Sequence, residues 1–262
     1  MSQPLSLNAA VLGPVRSRWL GLRELWFYRS YWRLPQGRNA MERERDKEMA
    51  EVMPVLLVIA LVAGVLIFEV MPASLVDQNA SVLATMWPVW VVQVAPMICA
   101  QMLAMQNAPD IALAMTERAG RGGYSTSPRM RAAQAAHTAV PTIMAHATVC
   151  AAAACLLVLF TWVFGLIAGL VMDEGDLRES INIVFNRVSP LLWIRAFFQA
   201  WVLGGVCVTA AVLFAWPGTQ VSGKGLDAHR LGLRAMLASS AACAVAGLSM
   251  NWVANLFGWG AG

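Results

Sequence analysis

The sequence predicts an all-α membrane protein, and three observations carry that prediction. Five apolar stretches, residues 52–76, 82–105, 141–172, 191–216 and 231–257, each reach the roughly 20 residues that a helix needs to cross the hydrocarbon core. None alternates with period two, which excludes barrel strands of about 10 residues. Hydrophobic residues make up 58% of the chain and charged residues only 13%, far below the roughly 25% charge of soluble domains. Backbone groups inside a bilayer must be satisfied within the segment or in a closed barrel. The chain therefore divides into a cytoplasmic or interfacial segment, 1–50, and a five-helix transmembrane domain, 51–262. No cleavable signal peptide is expected, because the first apolar run follows about 50 charged and aromatic residues.

The N-terminal segment interleaves Trp19, Trp26, Phe27, Tyr28, Tyr31 and Trp32 with Arg16, Arg18, Arg23, Arg29 and Arg33. It is too polar to span. Rings at headgroup depth with guanidinium groups reaching phosphates suit a helix lying in the interface, a disordered tail being the alternative. Residues 40–51 then alternate charge sign at helical spacing, so Glu42 and Asp46, or Glu44 and Lys47, can sit beside compensating groups. This run is expected to extend the first membrane helix.

The second span contains Pro88 and Pro96. Each removes a backbone donor, so a kink or break is expected there. Residues 107–123 read as a polar, glycine-rich connection. Pro128 to Val140 reads as a short separate helix with Ser127 as N-cap and Pro128 at the first helical position, after which Pro141 opens the third span. The 216–227 connection, WPGTQVSGKGLD, reads as a defined turn before the last span.

Placement of Lys and Arg sets the expected orientation. Nine basic residues precede the first span, and Arg118, Arg121, Arg129, Arg131, Lys224, Arg230 and Arg234 lie on the same side. The opposite connections hold Arg178 and Arg187 against Asp77, Asp173, Glu174, Asp176 and Glu179. The N-terminus is thus expected in the cytoplasm and the C-terminus outside it. The +4 net charge is explained by this asymmetry and by anionic lipid, without nucleic acid.

Catalytic chemistry is not evident. SGKG around Lys224 lacks the hydroxyl that a phosphate loop places after its lysine, so the chain is not expected to be an enzyme or to bind nucleotide itself. His137, His146 and His229 are scattered, and His146, within a span, reads as an interhelical hydrogen-bond partner. Cys99, Cys150, Cys155, Cys207 and Cys243 all lie in apolar spans and read as buried thiols. No metal site, disulfide framework or cofactor is indicated. Glu69 and Arg195 are the ionisable residues within spans, either snorkelling to the headgroups or lining a cavity, where they could pair. Gln93, Gln101, Gln199, Asn251 and Asn255 read as interhelical glue, and the small residues of 145–155 and 235–247 as close-packing faces.

The order of parts, with GTQVSGKGLDAHRLGLRAMLASS (218–240) and GLSMNWVANLF (247–257) as the best local matches, resembles the MlaE-type permeases of ABC transporters that work with MCE proteins. MPVLLVIALVAGVLIF (53–68) and VVQVAP (91–96) are weaker matches. The likeness covers about residues 50–257. It departs in 105–125, a longer stretch where the family has a Gly-Ala pair and a glutamate to which Glu117 need not correspond, and at Ala145 and His146, where the family has a Pro-Arg pair. The resemblance implies a permease subunit in the bacterial inner membrane, moving phospholipid or a related hydrophobic substrate. The implied partners are a cytoplasmic ABC ATPase, an MCE-domain protein and a second permease chain, as homodimer or heterodimer. It also implies that Arg129, Met130, Arg131, Gln134 and His137 form the ATPase-coupling face, and it places the lipid site around Glu69, Met71, Gln93 and Met97. The alternative is a non-transporting structural or accessory subunit of a larger membrane complex.

Overall fold

The computed structural model describes residues 18–70, 86–120, 128–172, 189–216 and 228–256. Among these the regular structure is helical: α1 (residues 18–27), α2 (Pro35–Val65), α3 (Ala95–Gly120), α4 (Pro128–Met172), α5 (Pro190–Phe214) and α6 (Ala228–Leu256). Five stretches are long and apolar enough to cross a membrane, Pro35–Phe68, Met86–Glu117, Ala133–Val171, Pro190–Phe214 and Arg230–Leu256, and each overlaps one of the five sequence runs. The protein is an all-α membrane protein.

Between α1 and α2 the chain makes a 3-10 turn at Tyr31–Arg33. Leu34 is extended, with φ −73° and ψ 149°, because Pro35 disfavours helical geometry in the residue before it. Pro35 then starts α2, where its missing N–H is no loss. At Gly37 the helix passes so close to the carbonyl of Tyr31 and the Cα of Trp32 that a Cβ would collide with backbone. Glycine is what lets the chain reverse here. The charge-dense run continues α2 as expected, with Arg38–Glu42 at 2.9 Å and Lys47–Glu51 at 3.9 Å, both four residues apart.

Two elements differ from the sequence reading. The 107–123 stretch is helical as far as Gly120, with Pro109 inside α3, because Ala108, Ala112 and Met115 recur at helical spacing and are buried. Nor is Pro128–Val140 a separate helix. It is the first part of α4, which runs through Pro141 to Met172. The proline removes one donor and crowds one carbonyl, and the helix continues across it.

The expected irregularity in the second span takes a specific form. After a helical turn at 86–89 comes a π-helical turn, Trp90–Val94, in which the Ala95 N–H donates to Trp90 O, five residues back. A regular helix would drive the Pro96 ring into the Val92 carbonyl. The wider turn takes up that clash without breaking the helix. A second π turn, Leu66–Val70, closes the first span.

The chain forms two compact units. Unit 1 takes Met1–Arg45, Gln101–His146 and Gly205–Ala242, and unit 2 takes Asp46–Ala100, Ala147–Gly204 and Cys243–Gly262. Unit 1 is held by Leu25 of α1, Ala112 and Met115 of α3, Ala135, Ala136, Ala139 and Val140 of α4, Val208 and Val212 of α5, Trp216, and Leu231 and Ala235 of α6. In unit 2 the buried face of α2 reads Val52, Leu56, Ala60 and Ala63, continued by Ile67 in the π turn, a single stripe at helical spacing. Against it, α2 and α4 approach until a Cβ on Gly64 would lie 2.6 Å from Thr161 O and 2.8 Å from Gly165 N. Small residues allow such backbone-to-backbone packing in membrane bundles.

Candidate functional site

The coupling residues implied by the resemblance lie on the part of α4 that belongs to unit 1. Its buried face, Ala135, Ala136, Ala139 and Val140, consists of small or branched apolar residues that pack into the unit's core. Met130, 59% exposed, and the exposed Gln134 are four residues apart on another face, so they form one surface. His137, three residues further, is engaged within the chain. Its ring stacks on Tyr31 at 4.2 Å between centroids and meets the edge of Tyr28 at 4.6 Å. The side chains of Arg129 and Arg131 lie outside the described residues, although their backbone is part of α4.

The tyrosines that hold His137 come from the segment between α1 and α2. That segment is anchored by Leu25, which is buried, and by Trp216, whose ring lies over Gly21. Trp19, Trp26 and Phe27 are 71%, 69% and 76% exposed, and Arg29 lies over the Trp26 ring at 4.3 Å. Apolar rings with a guanidinium against them form the surface expected at headgroup depth. The sequence displayed these residues but gave no sign that Tyr28 and Tyr31 would close on His137, since nothing local links positions more than 100 residues apart.

Of the implied lipid-site residues, Gln93 and Met97 both belong to unit 2. Gln93 is in the π turn and Met97 follows four residues later, both half-buried. Met97 packs on α6, where a Cβ on Gly247 would lie 3.2 Å from its Sδ. Glu69 is in the π turn that ends the first span, its side chain lying outside the described residues, and Met71 lies outside them altogether.

The amide glue is realised in part. Gln199 Nε2 donates to Asn251 Oδ1 at 3.3 Å in unit 2, and Gln101 Nε2 donates to Ser240 O at 3.0 Å in unit 1. His146, fully buried, lies 3.5 Å from Asn107 Nδ2 through its Nδ1, the interhelical role read from the sequence. Asn107 lies in the stretch that reads as a connection, so the sequence gives no sign of its part in this pair. The five cysteines are free thiols, four of them buried. Among the described residues no group of three His, Cys, Asp or Glu side chains could hold a metal ion.

The buried polar atoms left over differ in kind between units. In unit 2, Trp87 Nε1, Trp90 Nε1, and Arg195 Nη1 and Nη2 are buried without a hydrogen-bond partner among the described residues. All are donors. In unit 1, Gln101 Oε1 and the Ser240 hydroxyl are left, one an acceptor and one able to donate. Comparison with known proteins gives no matching family model and no matching curated protein.

Proposed function

We propose that this chain is the permease subunit of an ABC transporter that moves phospholipid or a related hydrophobic substrate between the bacterial inner membrane and an MCE protein assembly. A separate cytoplasmic ATPase would power it, and a second permease chain would complete the substrate cavity. The N-terminus would lie in the cytoplasm and the C-terminus in the periplasm. Beyond the resemblance of 218–240 and 247–257, the observation that best supports this reading is the continuity of α4. The exposed Met130 and Gln134 stand on the same helix as the third span. A push received at that surface would tilt a membrane helix directly, the rigid-body conversion that coupling requires.

The test is ATP-dependent transfer of fluorescent phospholipid in proteoliposomes holding the assembled complex. Replacing Met130 and Gln134 together by alanine should reduce transfer about tenfold or more while the subunits still co-purify. Undiminished transfer would remove the coupling role. One observation favours a second reading, a structural subunit without a substrate path: His137, one of the five implied contacts, is already stacked within its own chain. On that reading the double variant would change complex yield rather than turnover.

A further inference from the structure

Arg195 is on α5 in unit 2, within a span-forming helix. Around it Leu191, Ile194, Phe197 and Phe198 are exposed by 66%, 65%, 48% and 59%, a surface suited to acyl chains. A snorkelling arginine carries its charge to water or headgroups, yet here both terminal nitrogens are buried. They meet no acceptor among the described residues. One turn along, Gln199 donates to Asn251 Oδ1, so that amide oxygen is already engaged. An unpaired buried guanidinium is among the least favourable arrangements a membrane helix can hold. Elsewhere in this unit Trp87 and Trp90 also bring donors without acceptors among the described residues. What the Arg195 guanidinium lacks is an oxygen-rich acceptor.

We infer that Arg195 binds an oxyanion, and that its ligand is the phosphodiester of a membrane lipid. The planar guanidinium fork matches two phosphate oxygens, and a lipid also covers the apolar side chains around Arg195. This rests on the lipid-handling reading above and names the residue that would hold the headgroup. The competing acceptor is the chain's own Glu69, which also belongs to unit 2.

The test uses the full-length chain in detergent, without ATPase or MCE protein. Native mass spectrometry would measure retention of palmitoyl-oleoyl phosphatidylglycerol against palmitoyl-oleoyl glycerol, which has the same chains and no phosphate. The wild-type chain should prefer the phospholipid by at least about tenfold, the scale of one charge-assisted contact. Arg195→Gln should bring that preference close to one. If Arg195→Gln does not fold, Arg195→Lys, which keeps the charge and loses the fork, should lower the preference at least about threefold. Wild-type preference in a folded Arg195 variant would overturn the inference. So would loss of stability in both Arg195→Gln and Glu69→Gln without any change in lipid preference, the signature of an internal ion pair. Displacement of lipid by excess inorganic phosphate would reassign the ligand to a free anion. Because no ATPase is present, phosphate-dependent retention by a chain that recruits no ATPase would uphold the site while removing the transport reading.

Discussion

In unit 1 the Gln101 amide reaches a backbone carbonyl of α6, Ser239 donates to Cys207 O at 2.7 Å, and Asn107 lies against His146. In unit 2 the Gln199–Asn251 pair is matched by buried donors at Trp87, Trp90 and Arg195 that find no acceptor among the described residues. Unit 1 is closed by aromatic packing, with Trp216 over Gly21 and the two tyrosines around His137. Unit 2 is closed by small residues at the Gly64 crossing. Unit 1 also keeps Gln101 Oε1 and the Ser240 hydroxyl without a partner among the described residues, so the contrast is one of kind, an acceptor and a hydroxyl in unit 1 against indole and guanidinium donors in unit 2. Each such donor calls for a partner, and the anion site proposed above would supply one at Arg195.

The largest effect that could break this contrast is in unit 1. Trp216→Ala removes a buried side chain that joins α1 to the core, and it should lower unfolding stability in detergent by about 3–5 kcal/mol. A loss below about 1 kcal/mol would mean that aromatic packing does not close this unit. In unit 2, Gly64→Ala places a methyl against backbone at the crossing of α2 and α4 and should cost about 1–3 kcal/mol. A neutral result there would show that the two helices can separate freely.

Smaller effects sharpen the comparison. Replacing Gln199 and Asn251 by leucine, singly and together, should give a coupling of about 0.6–1 kcal/mol, the usual scale of membrane interhelical hydrogen bonds. Zero coupling would leave the pair as proximity without attraction. The smallest effect should come from the exposed surface of α4. Met130→Ala with Gln134→Ala should change stability by no more than about 0.5 kcal/mol, so that any loss of transport reports coupling. A larger drop would show that this face is already covered within the assembly.

The spans were legible because a run of about 20 apolar residues has few alternatives. The extension of α2 through its charged run was legible from sign alternation at helical spacing, which Arg38–Glu42 and Lys47–Glu51 bear out. Proline was read too strictly. Pro109 and Pro141 sit inside continuous helices, since a bundle can accommodate one missing donor and one displaced carbonyl. The wide turn before Pro96 was anticipated as a kink, but its π form depends on backbone geometry that no residue type specifies. Long-range contacts were the least legible. Gln199 and Asn251 were recognisable as polar residues in apolar surroundings, whereas the clasp of Tyr28 and Tyr31 on His137 depends on how the chain turns at Gly37. Arg195 stood out in the sequence, and only the burial of its terminal nitrogens separates it from a side chain that snorkels.

The most direct measurement is purification of the tagged chain in mild detergent from its own membrane, followed by mass spectrometry of the proteins and lipids that accompany it. A transport subunit of the proposed kind brings a nucleotide-binding ATPase, an MCE-domain protein and bound phospholipid, and the stoichiometry shows whether a second permease chain completes it. Recovery of unrelated membrane subunits with neither ATPase nor phospholipid would contradict the proposal and leave the structural role in its place.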